Sequence, residues 1–497
     1  MDLSISFGTS GHRGIVGDSF TVAHVAAIAV GVAQWLRHAE APLSVAIGYD
    51  SRDGNDPVLT PGSFTHILVE TLLNYGVSVW FATAPTPTPV MSWVVTHYRL
   101  GGALILTASH NPPQYNGLKF NPPNGAPASV AVTSFVEHAA NAHLQTPIAS
   151  PYPRGKLSLR ADFPEVFADG LYHLLSNFLG SFDWSGSRIL VDAAHGAVAK
   201  TWAAMFTQFG IREHAILCAE PKPDFGGLEP NPTHAKAFGR LQAVIDKQRE
   251  WGRSWDMAIG NDPDGDRHIV LDDLGVPMTP EETAVLILEM LLAAGKRPHA
   301  VASTLASSAL VRVACETHGI AYVETAVGFK YFAPVFESAD AAGGFAMGVE
   351  SSGGFSISRH TYEKCGFLPL MLAHYIGTTG KVLSVLRQSL SRYGNFVFSE
   401  TSFAFEPSKK PELIRFFAEV TASSLTSLTS LACEDVGDKT IIIDRRDGLK
   451  VSLLSGVWVL VRLSGTEPIG RLYAESATEE ETNRLMAAMQ EILATVQ

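Results

Sequence analysis

The sequence predicts an α/β protein with three related mixed α/β domains and a smaller C-terminal α+β domain. Three observations lead to this fold class. Short runs rich in β-branched residues alternate with helical segments, as in parallel sheets covered by helices. This alternation recurs three times along the chain, and the C-terminal part departs from it. With 497 residues, 46% of them hydrophobic, the chain is long enough for several separate cores.

The first repeat has expected strands at 44–48, 77–81 and 103–107, with a helix at 61–75 between the first two. Its last strand leads into Ser109. Ligands of open α/β sheets bind beyond the carboxyl ends of strands, so the loop that follows this strand is a candidate site.

The second and third repeats have the same order of elements. The expected strands are 188–192, 214–218 and 257–260 in the second repeat, and 300–304, 321–325 and 345–348 in the third. The last strands lead into an aspartate-rich turn and into a glycine-rich loop at Glu350. We therefore expect three equivalent loops to line one active site.

The C-terminal part has a different pattern. A helix at 411–420 precedes a Ser/Thr-rich stretch at 421–430, and Thr478 with Glu481 forms a candidate capping box for a final helix through Ile492. The expected strands are 440–444, 457–461 and 470–473. The expected domains are residues 1–155, which contain Ser109, residues 156–275, which contain the aspartate-rich turn, residues 276–385, which contain the loop at Glu350, and residues 386–497.

Charge and composition restrict the function. A net charge of -12 disfavours general affinity for nucleic acid or anionic membranes. The N-terminal residues lack the pattern of a secretory signal, and the apolar stretch at 284–294 is too short to span a membrane and carries Glu289. The four cysteines are widely separated, which predicts reduced core thiols and a cytoplasmic protein; they are Cys218, Cys315, Cys365 and Cys433.

The aspartate-rich turn is a candidate metal site. Asp262, Asp264 and Asp266 bring three carboxylates together, and a hard cation such as Mg²⁺ would relieve their repulsion. An EF-hand loop needs glycine at its sixth position, where this chain has Arg267, so a calcium sensor is disfavoured. An acidic, solvated turn is the alternative.

Ser109 is a candidate nucleophile. A serine hydroxyl needs a base or a metal to activate it, and the aspartate turn suggests a phosphate carried on the serine beside Mg²⁺. His110 and Lys119 are candidates for proton transfer or positive charge. Each is also compatible with an ordinary turn or surface position.

Two further loops offer groups for a phosphosugar. The run from Arg462 to Pro468, with Arg471, presents several phosphate donors around a flexible glycine. Glu350 and Ser352 offer hydrogen bonds to sugar hydroxyls, and Lys330 offers a positive charge or is an ordinary solvated lysine. The glycine-rich run at 7–14 lacks the residue order of a P-loop, so nucleotide binding has little support.

These runs together resemble the α-D-phosphohexomutase superfamily, most closely its phosphoglucomutase branch. They occur in the order expected for that superfamily and span nearly the whole chain. The matching runs are FGTSGHRG, TPTPV, TASHNPP, NGLKFNPPNG, GNDPDGDRH, VGFK, VESSGG and RLSGTEP.

The resemblance implies three α/β domains and a fourth, smaller domain around a central cleft. It further implies that Ser109 is carried as phosphoserine and binds Mg²⁺ together with the three aspartates. The other implied roles are proton transfer by His110 and Lys119, charge stabilisation by Arg13 and Arg267, sugar contacts by Glu350 and Ser352, a substrate contact by Lys330, and docking of the second phosphate by Arg462, Ser464, Gly465, Thr466 and Arg471.

The resemblance also implies the reaction, the reversible interconversion of glucose 1-phosphate and glucose 6-phosphate. Glucose 1,6-bisphosphate is the expected intermediate and activator, and a monomer or weak homo-oligomer is expected. The nearest alternatives are a phosphomannomutase and a dual phosphomannomutase/phosphoglucomutase, followed by a phosphoglucosamine mutase. A noncatalytic phosphosugar-binding protein and a magnesium phosphatase that passes the phosphate from Ser109 to water are alternatives of other classes. The sugar loop aligns in two registers, one that matches Glu350 and Ser352 and one that places Val349 at the glutamate position.

Overall fold

The computed structural model describes residues 4–8, 11–147, 149–425, 441–453, 456–464 and 468–496. Cys433, Gly465 and Thr466, which the sequence singled out, lie outside these residues. The chain forms two compact units, which we call the first unit (1–300 with 329–388) and the second unit (301–328 with 389–497).

The first sheet confirms the parallel strands expected at the N-terminal end, with shifts of one residue. Its strands are β1 His12–Ile15, β2 Ser44–Tyr49, β3 Ser78–Ala82, β4 Gly102–Leu106, β5 Tyr115–Asn121 and β6 Leu157–Arg160, in the order β1-β5-β4-β2-β3-β6. Strand β2 runs parallel to β3 and β4, whereas β5 runs antiparallel to β4 and β1. Arg13 lies on β1 and Lys119 lies on β5, and these two strands are antiparallel to each other.

Helices cover both faces of this sheet. They are α1 Val22–His38, α2 Phe64–Asn74, α3 Thr88–Tyr98 and α4 Val130–Gln145. Helix α1 packs against α2 and α4, and α3 packs against β2 and β4. Helix α2 is shorter than the expected 61–75 because Ser63 caps its N-terminus by accepting a hydrogen bond from the backbone N–H of His66.

The second sheet repeats the arrangement. Its strands are β7 Arg188–Asp192, β8 Glu213–Leu217, β9 Met257–Asn261, β10 His268–Leu271 and β11 Pro277–Met278, in the order β11-β10-β9-β7-β8. The order β9-β7-β8 matches β4-β2-β3 of the first sheet, which confirms the expected repeat for these two sheets. The accompanying helices are α5 Phe163–Leu179, α6 Ala199–Phe209 and α7 Ala235–Glu250.

The rest of the first unit contains helix α8 and a β-hairpin. Helix α8 starts with a capping box between Thr279 and Glu282 and is buried along most of its length, including Glu289. Within the described residues, no helix is both long and apolar enough to cross a membrane. The elements are α8 Pro280–Ala293, α10 Ala333–Ala341, β14 Ala346–Glu350, β15 Gly354–Ile357, α11 Met371–Thr379 and α12 Leu383–Gln388.

The second unit contains an antiparallel sheet with helices, which confirms the expected α+β C-terminal region. Its elements are β12 Ala300–Thr304, α9 Ala309–His318, β13 Ala321–Thr325, β16 Val397–Ala404, α13 Lys410–Glu419, β17 Ile441–Asp444, β18 Leu449–Leu453, β19 Trp458–Leu463, β20 Ile469–Ser476 and α14 Glu479–Ala494. The sheet order is β16-β20-β19-β18-β17, and side chains of α13 and α14 share its core. Thr478 caps α14 by accepting a hydrogen bond from the N–H of Glu481 at 3.3 Å.

The loops after β7 and β9 approach each other closely at Gly196. The N–H of Ala197 donates to the carbonyl oxygen of Pro263 at 2.7 Å. A Cβ atom on Gly196 would lie 2.4 Å from the Cα and the carbonyl oxygen of Pro263. The absence of a side chain at Gly196 therefore allows the two loops to approach this closely, and the hydrogen bond from Ala197 holds the aspartate-rich turn in place.

We expect Gly196→Ala to destabilise the protein by about 1–3 kcal/mol, because the new methyl group meets backbone that cannot move aside cheaply. The control is Gly239→Ala in α7, where a Cβ would meet nothing within 4 Å. This control should stabilise the protein by about 0.4–1 kcal/mol through the unfolded chain. Chemical denaturation measures both changes, and equal effects of the two substitutions would contradict the close-packing argument.

Candidate functional site

Ser109 lies in a loop that brings it directly to the second sheet's aspartates. The serine loop, residues 107–115, connects β4 to β5. Ser109 has a φ of 52°, in the left-handed region, and is buried. Its Oγ donates to Oδ2 of Asp262 at 2.7 Å, so the structure brings the predicted nucleophile and a predicted metal ligand into direct contact.

The acidic loop, residues 261–267, holds the three aspartates on a tight turn. Gly265 takes a φ of +69°, which a glycine accommodates without strain. The three carboxylates are buried, and each offers an oxygen within 4.8 Å of the others. The turn is anchored by α3, because Thr88 at the first position of that helix donates its N–H to the carbonyl oxygen of Asp264 and its hydroxyl to Oδ2.

Two lysines supply opposite charge to this cluster. Nζ of Lys119 lies 2.6 Å from Asp264 and 2.7 Å from Asp266, and Nζ of Lys364 lies 3.2 Å from Asp266. Burial alone would lower the pKa of Lys119, but the two carboxylates outweigh it and raise this pKa. Lys119 therefore stays protonated at neutral pH.

The carboxylates of the acidic loop respond differently to their surroundings. Burial, followed by repulsion from Asp264 and Asp266, raises the pKa of Asp262 well above its usual value. Burial also disfavours the charge on Asp266, yet Lys119, Lys364 and Arg267 hold the pKa of this residue well below the ordinary range. The two lysines thus compensate Asp264 and Asp266, whereas Asp262 is the carboxylate whose charge is disfavoured.

These residues fit a hard divalent cation. Oδ1 of Asp264 and Oδ1 of Asp266 are buried and have no hydrogen-bond partner among the described residues. Such orphaned carboxylate oxygens are costly unless a cation or water binds them. Carboxylate oxygens are the ligands that Mg²⁺ prefers, and the hydroxyl of Ser109 lies next to Asp262.

Three more predicted residues surround the serine. Nη1 of Arg13 donates to Oδ1 of Asn111 at 2.9 Å, and the N–H of Arg267 donates to Oδ1 of Asp262 at 2.9 Å. Nδ1 of His110 lies 3.4 Å from Oγ of Ser109. Burial and then the charges of Arg267 and Arg13 hold the pKa of His110 well below its usual value, so the imidazole is neutral at pH 7.

The predicted sugar loop is the β14–β15 hairpin turn. Val349 is buried and pairs with Phe355 in the strand register, whereas Glu350 is the last residue of β14 and accepts a long hydrogen bond of 3.5 Å from Ser352. This arrangement favours the alignment that matches Glu350 and Ser352. The carbonyl oxygen of Gly353 accepts from the N–H of His268 at 2.9 Å, which ties the turn to the end of the acidic loop.

The remaining predicted residues lie elsewhere. Lys330 belongs to a short 3₁₀ helix at Phe329–Phe332 rather than to a loop, and its Nζ lies 5.5 Å from the ring centre of Tyr331. In the second unit, Arg462 and Arg471 face each other across the β19–β20 hairpin. Arg462 pairs with Asp447 at 2.8 Å, and Arg471 lies 3.7 Å from Glu400.

The Ser464 end of the β19–β20 hairpin carries an additional cation. Nζ of Lys410, at the start of α13, donates to the carbonyl oxygen of Ser464 at 2.8 Å. The hairpin strands and the adjoining helix therefore carry three basic side chains, Arg462 on β19, Arg471 on β20 and Lys410 on α13. Sequence reasoning found the two arginines and missed the lysine, because Lys410 is distant in sequence.

Sequence reasoning also missed Arg52, Glu363 and Lys364. Arg52 is fully buried and contacts the serine loop, and Glu363 accepts hydrogen bonds from Nδ2 of Asn121 and the N–H of Lys364 at 3.0 Å each. A Glu-Lys pair usually marks a solvated surface, so its type alone gives no signal. The position of Glu363 and Lys364 in the sequence is the available signal, because the pair follows β15, the strand that leaves the predicted sugar loop.

The three cysteines that the structure describes are free thiols. Cys315 and Cys365 are buried and Cys218 is half-buried. Burial raises the pKa of Cys365 to about 12, so this thiol is unreactive. The expected structural role is consistent with these positions.

Comparison with known proteins matches four consecutive segments to models of one family. The models are described as phosphoglucomutase/phosphomannomutase α/β/α domains I, II and III, at residues 4–146, 167–275 and 279–393, and as the C-terminal domain, at 418–492. Three α/β/α domains followed by a different C-terminal domain confirm the expected fold class.

Individual relatives are distant but cover most of the chain. The chain is 27% identical to a phosphoglucomutase of Komagataeibacter xylinus, over 95% of this chain and 87% of the relative. It is 28% identical to a phosphoglucosamine mutase of Acidothermus cellulolyticus, over 96% and 93% of the two chains. The solved structure of a Paramecium phosphoglucomutase in its open form shares the fold, with a TM-score of 0.73, 20% identity and coverage of 99% and 95%.

The buried Glu363 predicts a specific pH dependence of stability. Burial raises its pKa from 4.5 to about 7, although Lys364 and Lys119 oppose the shift. The folded state therefore holds this proton more tightly than the unfolded state, and stability falls as pH rises from the unfolded pKa through the folded one. At pH values above the folded pKa, the ionised Glu363 lowers the free energy of unfolding by about 3 kcal/mol.

We expect Glu363→Gln to remove this pH dependence, because the amide cannot ionise. The free energy of unfolding of the variant minus that of the wild type should increase between about pH 5 and about pH 8. Urea titrations at several pH values give this difference, in which contributions from other groups cancel. A difference that stays constant over this pH range would show that Glu363 does not titrate as inferred.

Proposed function

Because the chain belongs to the phosphoglucomutase/phosphomannomutase family, we propose that it is a phosphohexomutase that interconverts glucose 1-phosphate and glucose 6-phosphate. The single observation that supports catalysis most directly is the contact of 2.7 Å between Oγ of Ser109 and Asp262 within the buried aspartate cluster. A serine buried among carboxylates has little structural purpose, whereas a phosphoserine beside a cation site matches phosphoryl transfer.

The proposed reaction has two transfers of the same kind. In the first, the free sugar hydroxyl attacks phosphorus and the bond between phosphorus and Oγ of phosphorylated Ser109 breaks. The proton of the sugar hydroxyl passes to the leaving Oγ, which becomes the free serine hydroxyl. The product is glucose 1,6-bisphosphate. After this intermediate reverses its orientation, Oγ of Ser109 attacks the other phosphate, and the bond between that phosphorus and the sugar oxygen breaks. The serine proton passes to the released sugar oxygen, so that glucose keeps one phosphate at the exchanged position and Ser109 is phosphorylated again.

The contacts of His110 and Lys119 suggest different roles for the two residues. Nδ1 of His110 lies 3.4 Å from Oγ of Ser109, so this nitrogen is placed to exchange a proton with the serine. Lys119 is held protonated by Asp264 and Asp266, so it supplies charge and hydrogen bonds. We therefore propose His110 as the base for Ser109 and Lys119 as a charge-stabilising residue.

The remaining residues are proposed to bind and neutralise the substrate. Arg13 and Arg267 stabilise charge on the transferring phosphoryl group, and Mg²⁺, when held by Asp262, Asp264 and Asp266, supplies further positive charge. Glu350 and Ser352 accept or donate hydrogen bonds to sugar hydroxyls. Lys330 in the first unit is proposed to contact the substrate. Arg462, Ser464 and Arg471 in the second unit are proposed to bind its second phosphate.

Ser109→Ala should abolish the mutase reaction, because no other group can carry the phosphoryl group between the two transfers. We expect a loss on the order of 10⁴-fold or more, as for a lost nucleophile in other covalent enzymes. The measurement is ³¹P NMR of glucose 1-phosphate with Mg²⁺ and a trace of glucose 1,6-bisphosphate. Unchanged conversion by the variant would rule out a phosphoserine mechanism.

The same assay distinguishes the sugar substrates and the noncatalytic alternative. Parallel reactions with mannose 1-phosphate and glucosamine 1-phosphate test the preference, because relatives of the chain include mutases with other sugar names. A strong preference for either sugar would overturn the proposed glucose substrate while leaving the mutase mechanism intact. Binding without turnover of all three by folded wild-type protein would favour a phosphosugar-binding protein.

Magnesium should stabilise the folded protein through the acidic loop. A ligand at a hundredfold excess over its dissociation constant contributes about 2.7 kcal/mol. We expect MgCl₂ to raise the unfolding temperature relative to EDTA, and Asp264→Asn to lose most of this increase. Asp246→Asn is the control, since Asp246 is an exposed carboxylate on α7. The same increase in Asp264→Asn as in the wild type would place the cation elsewhere.

A further inference from the structure

The guanidinium group of Arg52 is enclosed and uses every one of its donors. The side chain has 0% exposed surface, and its Nε donates to Oδ2 of Asp50 at 2.9 Å. Its two terminal nitrogens donate to four backbone carbonyl oxygens of the serine loop, at 2.6–2.8 Å. These belong to Ser109, Asn111, Pro112 and Tyr115. The Arg52 side chain therefore binds the backbone of the serine loop at four residues.

Asp50 extends this arrangement to the other side of Ser109. Its Oδ2 accepts a hydrogen bond of 2.6 Å from the hydroxyl of Thr107. The oxygen of that hydroxyl in turn accepts a hydrogen bond of 2.8 Å from the N–H of Ser109. The two backbone polar groups of Ser109 are thus both fixed, the carbonyl by Arg52 and the N–H by Thr107.

A residue of the second repeat covers the open face of Arg52. The ring of Phe225 lies 4.8 Å from the guanidinium carbon, a distance that allows a cation–π interaction. Phe225 is fully buried and has a φ of 54°, an unusual conformation for a bulky side chain. Next to Arg52, Ser51 donates to the carbonyl oxygens of His195 and Lys222, which fixes the segment that carries Phe225.

The backbone of Ser109 needs such support. The left-handed conformation costs a non-glycine residue on the order of 1–2 kcal/mol, and proline-rich loop backbone next to it has few partners of its own. In this conformation Oγ points at Asp262. A relaxed backbone would turn the hydroxyl away from the acidic loop.

We propose that Arg52 is a positioning residue for phosphoryl transfer, which holds the backbone of Ser109 so that its oxygen faces the acidic loop. Among the described residues, the contacts of Arg52 include neither the Ser109 hydroxyl nor a residue proposed to bind sugar. Its removal should therefore slow transfer and leave sugar-phosphate binding unchanged. The inference rests on the proposed function of Ser109.

Arg52→Lys is the most informative variant, because lysine keeps the charge beside Asp50 but has a single nitrogen that cannot reach four carbonyls. The enzyme is phosphorylated with glucose 1,6-bisphosphate, and single-turnover transfer to glucose 1-phosphate is followed by rapid quench. We expect transfer to slow roughly 10-fold to 100-fold, as small misplacements of a reacting group do. The half-saturating concentration of glucose 1-phosphate should stay within about twofold of the wild-type value.

A second measurement does not depend on activity. Amide hydrogen exchange should accelerate in peptides that cover residues 107–115 of Arg52→Lys and remain unchanged in the second unit. Unchanged exchange in residues 107–115 would overturn the inference about Arg52. Absence of transfer by the wild-type enzyme would instead count against the proposed function, and the exchange measurement would still test the inference.

Arg160→Lys is the matched control. Arg160 is the last residue of β6 in the same sheet, pairs with Asp162 through two nitrogens at 2.8 Å and lies 4.4 Å from the ring centre of Trp80. Its partners among the described residues do not include the serine loop. Its substitution should leave transfer unchanged. Equal slowing by both substitutions, or a wild-type transfer rate in Arg52→Lys, would overturn the proposal.

A further variant covers failure of Arg52→Lys to fold. Phe225→Leu removes the aromatic face and leaves the hydrogen bonds of Arg52 in place, so we expect a smaller decrease in the transfer rate with an unchanged half-saturating concentration. A rise in that concentration without a change of rate would show that this segment acts on binding, contrary to the proposal.

Discussion

The ion pair of Lys119 with Asp264 and Asp266 is the interaction on which the arrangement of the first unit depends. Buried carboxylates that crowd together are unstable unless cations or hydrogen bonds compensate them. The compensating groups come from distant segments, since Lys119 lies on β5 and Lys364 follows β15. The acidic loop, the serine loop and the β14–β15 hairpin therefore have to meet for any of them to be stable.

The sequence allowed the parallel strands β2, β3, β4, β7, β8 and β9 and the acidic loop to be predicted because both have short-range signals. β-branched runs mark buried parallel strands, and three alternating aspartates on a Pro/Gly turn mark a cation site. Helix α1 gave no such signal, because most of its length is buried and its pattern has little polar face. Strand β5 was missed as an element because its polar residues, including Lys119, face a buried charge cluster and break the apolar alternation that identifies a strand.

The residues that the sequence could not assign depend on contacts between distant segments. Arg52 looks like any charged residue in a loop, and only the folded chain shows four carbonyl oxygens converging on it. The same applies to Asp447, which holds Arg462 and also accepts a hydrogen bond of 2.9 Å from the N–H of Val327. Ordinary residue types acquire specific roles here through burial and through partners that are distant in the sequence, 57–63 positions for the carbonyl oxygens at Arg52 and 120 positions for the N–H of Val327 at Asp447.

The left-handed backbone of Ser109 has a consequence for the evolution of the chain. Glycine adopts this conformation without the strain that serine carries, so replacement by glycine would relieve strain while it removed the hydroxyl. The substitution Ser109→Gly is therefore expected to favour the folded state and to inactivate the protein. Persistence of serine at such a position requires selection for its chemistry, which is the usual origin of a trade-off between stability and activity.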